Sequence, residues 1–352
     1  KFEIMSVRNS FAKHNKAFND SFFNMFFDMS RLSKQAQRLD LTSKLLMDSW
    51  AQPLRNDFQL EMEYADLLWE KNEKEKALKM VGEIYRNMKA DSTKAGNHEE
   101  AAVLLKYAQW CDASNSSTPS ELITSYKKVC DLDPQWAESY FQLGIFYSKY
   151  LGKKVADEKD SKSYVLKKES VKYLLLSLKV STIHVREALP KVVTYWLDTA
   201  DSLRTSRDLE LRAIVKEMCT IIDKAMSECP VNMWYTVLVQ FISRILHSHG
   251  ESAKRIQKIV VLLALHYPQF ILWYVFSMIN SSETSMSSCG KAILKKFRAS
   301  GGSSDFASSA YNLVINFSKI CKTAPPNDKT KINTVDTSLE KDFGIDMNIA
   351  PS

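Results

Sequence analysis

The sequence predicts an all-α protein built as an antiparallel helical-hairpin α-solenoid. Three observations carry this reading. Apolar residues recur at the 3.6-residue helical period along most of the 352 residues. Only nine glycines and nine prolines occur, too few for the tight turns of a sheet-rich fold. Finally, Tyr140, Leu143, Gly144 and Tyr147 stand at the spacing of the repeat signature W-x2-L-G-x2-Y. Positions i, i+3, i+4 and i+7 share one helical face. Gly144 therefore admits a neighbouring helix closely, and the two tyrosines fill the space beside it. A hairpin of this kind cannot bury its face alone and needs stacked neighbours, so the rest of the chain is expected to be more hairpins.

The elements follow in order. Residues 1–50 are helical by period, with Phe22, Phe23, Phe26, Phe27 and Ser30 on one face and Met25 and Met29 beside it. Residues 60–88 form a hairpin of tetratricopeptide or HEAT character. Tyr64, Ala65 and Leu68 fill the signature slots loosely, residues 70–74 make a polar turn, and Ala77 takes the small-residue slot of the returning helix. A helix over 98–111 precedes a loop at 112–120, whose composition is DASNSSTPS. The helix 120–131 leads through Pro134 into the Tyr140 motif. A charged connector at 152–163 separates it from a helix over 164–181. Leu189, Val192, Val193, Trp196, Leu197 and Ala200 then trace an unbroken amphipathic face, with Pro190 read as lying near the helix start, where a missing N–H costs nothing. A helix over 207–228 follows. Residues 234–247 read as an equally regular helix through Trp234, Val237, Leu238, Phe241, Ile242, Ile245 and Leu246, stopped by Gly250. Helices over 254–266, 269–280, 288–298 and 306–321 complete the series, broken at 299–305 by ASGGSSD. A polar linker at 323–335 with Pro325-Pro326 closes it.

Composition bounds the function. With 45% hydrophobic and 25% charged residues, the chain is a folded protein. It opens on Lys1 and not on Met, and is read as a piece of something longer with no signal peptide. No apolar run approaches the roughly 20 residues of a membrane span, so no membrane partner is expected. Six scattered cysteines without a C-x-x-C pair are expected to be buried, reduced thiols of a cytosolic or nuclear protein. The net charge of +7 is mild.

Five blocks, in order, resemble the FAT region of the phosphatidylinositol-3-kinase-related protein kinases, of the ATR type. They are ADLLWEKNEKEKAL (65–78), YKKVCDLDPQWAESYFQLGIFYSKYL (126–151), ALPKVVTYWLDTA (188–200), FISRILHSH (241–249) and LALHYPQFILWYVFSMINSS (263–282). The third is similar to the family's L/M-P-x-x-L-T-x-W-L-D element in Leu189, Pro190, Thr194, Trp196, Leu197 and Asp198, with Val193 where Leu is usual. The fifth is similar to Y-P-Q-x-x-x-W in Tyr267, Pro268, Gln269 and Trp273. The resemblance implies a scaffold over residues 1–321 and, over 322–352, a linker toward a kinase domain that this fragment lacks. It implies that the solenoid cradles that kinase domain in cis and relays activator binding in the DNA-damage and replication checkpoint, in the nucleus. It also implies an ATRIP-like partner subunit and activator proteins for the parent, a homodimer of heterodimers, and ATP and Mg at the parent's kinase domain. For the fragment itself it implies no catalytic, cofactor or metal residues.

Other motifs read as structural. Asp342-Phe343-Gly344 spells a kinase magnesium motif, but the Gly-rich loop, strand lysine and catalytic loop that must precede it are missing. His247 and His249 lie at i and i+2, which face apart on a helix, and are read as decorating a helix C-terminus. The basic groups Lys167, Lys168 and Lys172, and Lys291, Lys295, Lys296 and Arg298, lack interleaved aromatics, so direct DNA binding is not expected. Trp196, Trp234 and Trp273 sit in apolar faces and are read with Tyr140, Leu143, Gly144 and Tyr147 as repeat packing. Two rivals remain open on residues alone: a free-standing tetratricopeptide adaptor that captures a peptide, and a nucleic-acid-binding solenoid.

Overall fold

A computed structural model describes residues 16–50, 58–90, 97–154, 161–203 and 208–322. Among the described residues there are fifteen α-helices, two 3-10 segments and no strand. The chain divides into two compact units, Lys1–Ser139 and Tyr140–Ser352. The linker expected at 323–335, the segment 336–352 and the Asp342-Phe343-Gly344 tripeptide lie outside the described residues.

The first unit is three helical hairpins: α1 (Lys16–Gln35) with α2 (Leu39–Trp50), α3 (Phe58–Glu70) with α4 (Lys74–Ala90), and α5 (Asn97–Ser114) with α6 (Pro119–Leu132). One device ends the first helix of each pair. Gln37, Asn72 and Asn115 take positive φ values of 56°, 64° and 52°, reversing the backbone as a helix C-terminal cap does. The next amide then reaches back to the last turn, as Arg38 N–H to Ser33 O, Glu73 N–H to Leu68 O and Ser116 N–H to Cys111 O. The second helix of the third pair starts on a capping box. The Thr118 hydroxyl accepts from Glu121 N–H, and the Glu121 carboxylate accepts from Thr118 N–H at 2.8 Å, with Pro119 at the first helical position. The apolar faces meet in small cores, one around Ala65, Ala77, Val81 and Ile84, another around Phe27, Leu46, Leu60 and Leu67. The small side chains of Ala65 and Ala77 sit where α3 and α4 cross, as the repeat signature requires. Of the face expected over Phe22 to Ser30, Phe27 and Ser30 are buried, while Met25 and Met29 are exposed.

Most of α7 (Ala137–Lys154) belongs to the second unit, followed by α8 (Ser161–Val180), α9 (Val185–Ser202) and α10 (Leu209–Glu228). Then come α11 (Leu238–Ser243), α12 (Gly250–His266), α13 (Pro268–Ile279), α14 (Thr284–Ala299) and α15 (Ser304–Lys322). Helices pack on the next and the next but one: α8 on α9 and α10, α12 on α13 and α14, α13 on α15. That pattern is the stacking of a helical-repeat array. One continuous core runs from Phe141 to Ala310, with Trp196, Trp234, Phe241 and Phe276 among its largest fully buried side chains.

Three readings of the sequence are corrected here. Residues 234–247 are not one regular helix: a 3-10 segment, Val231–Val237, precedes the short α11, and a turn follows it. Pro230 heads this stretch, and Val231, Thr236, Val237 and Val239 are β-branched and helix-weak. Trp234 and Val237, three apart, both enter the core, which suits a 3-10 turn, where such positions eclipse. Leu246 falls off the apolar face and is exposed. Pro190 lies in the second turn of α9, not its first, because the helix begins at Val185 behind a 3-10 turn at Thr182–His184. Its missing N–H therefore removes one intrahelical bond. Gly250 opens α12 and does not stop the preceding helix.

Candidate functional site

The repeat signature builds a close contact between α7 and α8. Leu143 is fully buried, and a Cβ placed on Gly144 would lie 2.8 Å from Leu174 Cγ and 3.1 Å from the Leu174 backbone nitrogen. Ser170 on α8 donates its hydroxyl to Gly144 O at 2.9 Å. The helices thus meet backbone to side chain with no room for a methyl group. Tyr147 is buried and stacks on Tyr173, ring centroids 5.8 Å apart and 8° from parallel. Burial pushes its phenol well above the ordinary value, with Tyr173 and Glu169 adding to the shift. Tyr140 is half-buried. Trp196 and Trp234 are fully enclosed, whereas Trp273 is half-buried and is not a core tryptophan.

A second constellation escaped the sequence reading. The ALPKVVTYWLDTA and FISRILHSH stretches, distant in sequence, interlock. Arg244 Nη1 donates to Asp198 Oδ1 at 2.6 Å, and the Ser248 hydroxyl donates to Asp201 Oδ1 at 2.5 Å. The His247 side chain is almost fully buried, with Nε2 3.1 Å from Leu197 O and 3.2 Å from Asp201 Oδ2. Its Nδ1 accepts from His249 N–H at 3.1 Å, so the ring proton sits on Nε2 and is donated to Leu197 O. His249 is the N-cap of α12, its Nδ1 accepting from Ser252 N–H at 3.3 Å. Burial lowers the His249 pKa. The two histidines therefore join α9 to α12; they do not decorate a helix C-terminus as the sequence suggested. The signal for this was Asp198 and Asp201, three apart on the solvent side of α9, facing an Arg, a Ser and two His in one stretch.

In the first unit, Arg31 and Lys34 of α1 hold Glu63 at 2.8 and 2.9 Å, and Lys106 of α5 holds Asp66 at 2.7 Å. Burial pushes the Glu63 carboxyl up, but its bonds to Lys34 and Arg31 outweigh that and hold it below the ordinary value. The network ties the first helices of the three hairpins together.

Little of this can do covalent chemistry. The described cysteines Cys111, Cys130, Cys219, Cys229 and Cys289 are free and buried. Burial pushes Cys130 and Cys229 up to about 11, away from the thiolate a nucleophile needs. Among the described residues no group of three or more His, Cys, Asp or Glu is placed to hold a metal ion, and no helix is long and apolar enough to cross a membrane. Lys168 pairs with Glu217 at 2.7 Å and Lys172 lies over the Tyr173 ring, so the first basic group is taken up internally.

Sequence comparison gives these contacts their context. The family model for the FAT domain matches residues 2–194, and that for the HEAT repeats of ATR-like serine/threonine-protein kinases matches residues 217–314. The serine/threonine-protein kinase MEC1 of Eremothecium gossypii is 37% identical over all of this chain, which spans 15% of that relative. ATR of Arabidopsis thaliana is 24% identical over 62% of the chain and 9% of its own length. The protein kinase rad3 of Schizosaccharomyces pombe is 24% identical over 66% of the chain and 11% of its own length. The chain thus spans about a seventh of the length of such MEC1 relatives. Among solved structures, the open conformation of CtTel1 superposes on 90% of the chain and 13% of its own, with a TM-score of 0.67 at 13% identity. That likeness shows a shared helical fold.

Proposed function

This chain belongs to the FAT-domain family, as the FAT region of an ATR-type serine/threonine protein kinase, and from that premise we propose that it is a non-catalytic scaffold for a kinase domain in the same protein. The stacked hairpins grip that domain, and small shifts between them relay the binding of an ATRIP-like subunit and of activator proteins to the active site. The parent acts in the nucleus in the DNA-damage and replication checkpoint, and its kinase domain uses ATP and Mg. The observation that carries this reading is the 37% identity to MEC1 along the entire chain, joined to a fold whose conspicuous buried groups all serve packing.

The test is association in trans. The chain and the kinase segment of its own full-length protein, expressed separately, are expected to co-elute on size exclusion, and the chain alone is expected to transfer no phosphoryl group from ATP. Separate elution would count against the cradle. Phosphoryl transfer by the chain alone that Asp342→Ala abolished would overturn the scaffold reading.

A further inference from the structure

The first unit carries a cleft of about 490 Å³ between α4, α5 and the turn that follows α5. Its size is that of a small-ligand or peptide side-chain site. Lys79 and Arg86 stand on its α4 wall, Tyr107 and Cys111 on its α5 wall, and Ser116 and Ser117 close one end. No carboxylate lines it. Two other clefts of the same unit differ in this respect. One is lined by Asp40, Glu70 and Glu73 beside its cations. The other holds Glu63 and Asp66, already paired with Arg31 and Lys106. Lys34, Lys106, Lys168, Arg244 and Arg255 are among the cations that meet carboxylates. Lys79 and Arg86 are exposed and meet none among the described residues. Arg86 instead spends its Nε on Gly82 O at 3.1 Å, which leaves its other guanidinium donors without a partner among the described residues.

We propose that this cleft docks an acidic peptide segment of a partner protein, with carboxylates on Lys79 and Arg86 and an apolar side chain between Leu78 and the Tyr107 ring. Three features support that occupant. Two cations with no carboxylate partner among the described residues complement negative charge. The Ser117 hydroxyl offers a hydrogen bond to a peptide backbone, while the Tyr85 hydroxyl already accepts from Lys128 Nζ and Ser116 Oγ lies 3.0 Å from Ser114 Oγ. Gly82 keeps a side chain out of the cleft, since even a Cβ there would touch Tyr107 Cε2 at 3.4 Å. Nucleic acid fits less well. It needs a track of cations and free aromatic faces, whereas the Tyr85 hydroxyl is bound by Lys128 Nζ and the Tyr107 ring lies against Gly82. This inference concerns the chain by itself and does not rest on the kinase-scaffold reading.

The experiment uses the 352-residue chain and fluorescence anisotropy with three labelled ligands: a short Glu/Asp/Leu peptide, its Gln/Asn/Leu counterpart, and oligothymidine. The acidic peptide is expected to bind and the amide peptide to bind at least about tenfold more weakly, a difference of about 1.4 kcal/mol. Lys79→Ala/Arg86→Ala is expected to lose about tenfold or more in affinity for the acidic peptide, with an unchanged melting curve, because both side chains are exposed. Gly82→Met, which fills the cleft and keeps both charges, is expected to lose as much. Lys295→Ala/Lys296→Ala, on the exposed basic face of α14, is expected to bind as the parent does. Unaltered affinity in both cleft variants would refute the site, as would an equal loss in the α14 variant. Oligothymidine binding as tightly as the acidic peptide, and lost in the same cleft variants, would make it a nucleic-acid site instead.

Discussion

Single residues in this chain act mostly by what they exclude. Gly144 is the sharpest case, because any side chain there meets Leu174 within 2.8 Å and the Leu174 backbone cannot swing away as a side-chain tip can. Gly144→Ala gains helix propensity, yet the overpacking is expected to win and to destabilise the chain by about 1–3 kcal/mol; urea unfolding by circular dichroism measures it. His249 acts through its proton. Its pKa is lowered from an ordinary value of 6.5, so the folded state prefers the neutral ring. The stability it contributes is therefore fully present above about pH 6.5 and is lost as pH falls through the folded value. Protonation places a hydrogen on Nδ1, the atom that accepts from Ser252 N–H, or else costs the burial that neutral imidazole avoids. Melting temperature is expected to fall with pH below that point in the parent chain. In His249→Asn, which caps without titrating, the slope is expected to be shallower; equal slopes would remove His249 as the cause.

Between elements, the contacts that set geometry are polar and were the least legible in the sequence. Apolar period together with the repeat signature located the helices from α3 through α10 and from α12 through α15, because apolar faces repeat there over several turns. It failed at Trp234 to His247 because a 3-10 turn and an α-helix share the i, i+3 spacing, and only the exposure of Leu246 separates them. It misplaced Pro190 because the apolar face begins at Leu189, while the backbone becomes helical four residues earlier. Gly250 looked like a stop since glycine more often follows helices than opens them, and nothing in the sequence marks His249 as a cap. The Leu143-Gly144 contact was legible because the repeat signature encodes it. The Asp198–Arg244 pair was not, since no local pattern links residues 46 apart. That pair joins α9 to the turn after α11 with both side chains partly exposed. A double-mutant cycle with Asp198→Ala and Arg244→Ala is expected to give a coupling of about 0.2–1 kcal/mol, reduced by salt, as for other solvent-screened pairs. A coupling of several kcal/mol would mean that the pair is desolvated in solution.

For the whole molecule, the question is how far a local defect travels. The two compact units each have cores of their own: small separate clusters in the first, one continuous cluster in the second. In a stacked array, stability is the sum of each repeat and its nearest-neighbour interfaces, so a defect should spread through shared core and stop where the core does. Trp196 tests this because it is fully buried within the continuous cluster, and Trp196→Ala is expected to cost about 3–5 kcal/mol. Its indole nitrogen has no hydrogen-bond partner among the described protein atoms, so the cost is packing and cavity, and Trp196→Phe is expected to recover much of it. Amide hydrogen exchange then maps the reach. In Trp196→Ala, protection is expected to fall across α8 to α15, which share that core, while α3 to α6 keep theirs. Uniform loss in both units would show that the chain unfolds as one cooperative body. Loss confined to α9 would show instead that even the continuous core breaks repeat by repeat. The intermediate result is what a relay requires, since a scaffold that transmits a shift must be cooperative over several hairpins and still end somewhere.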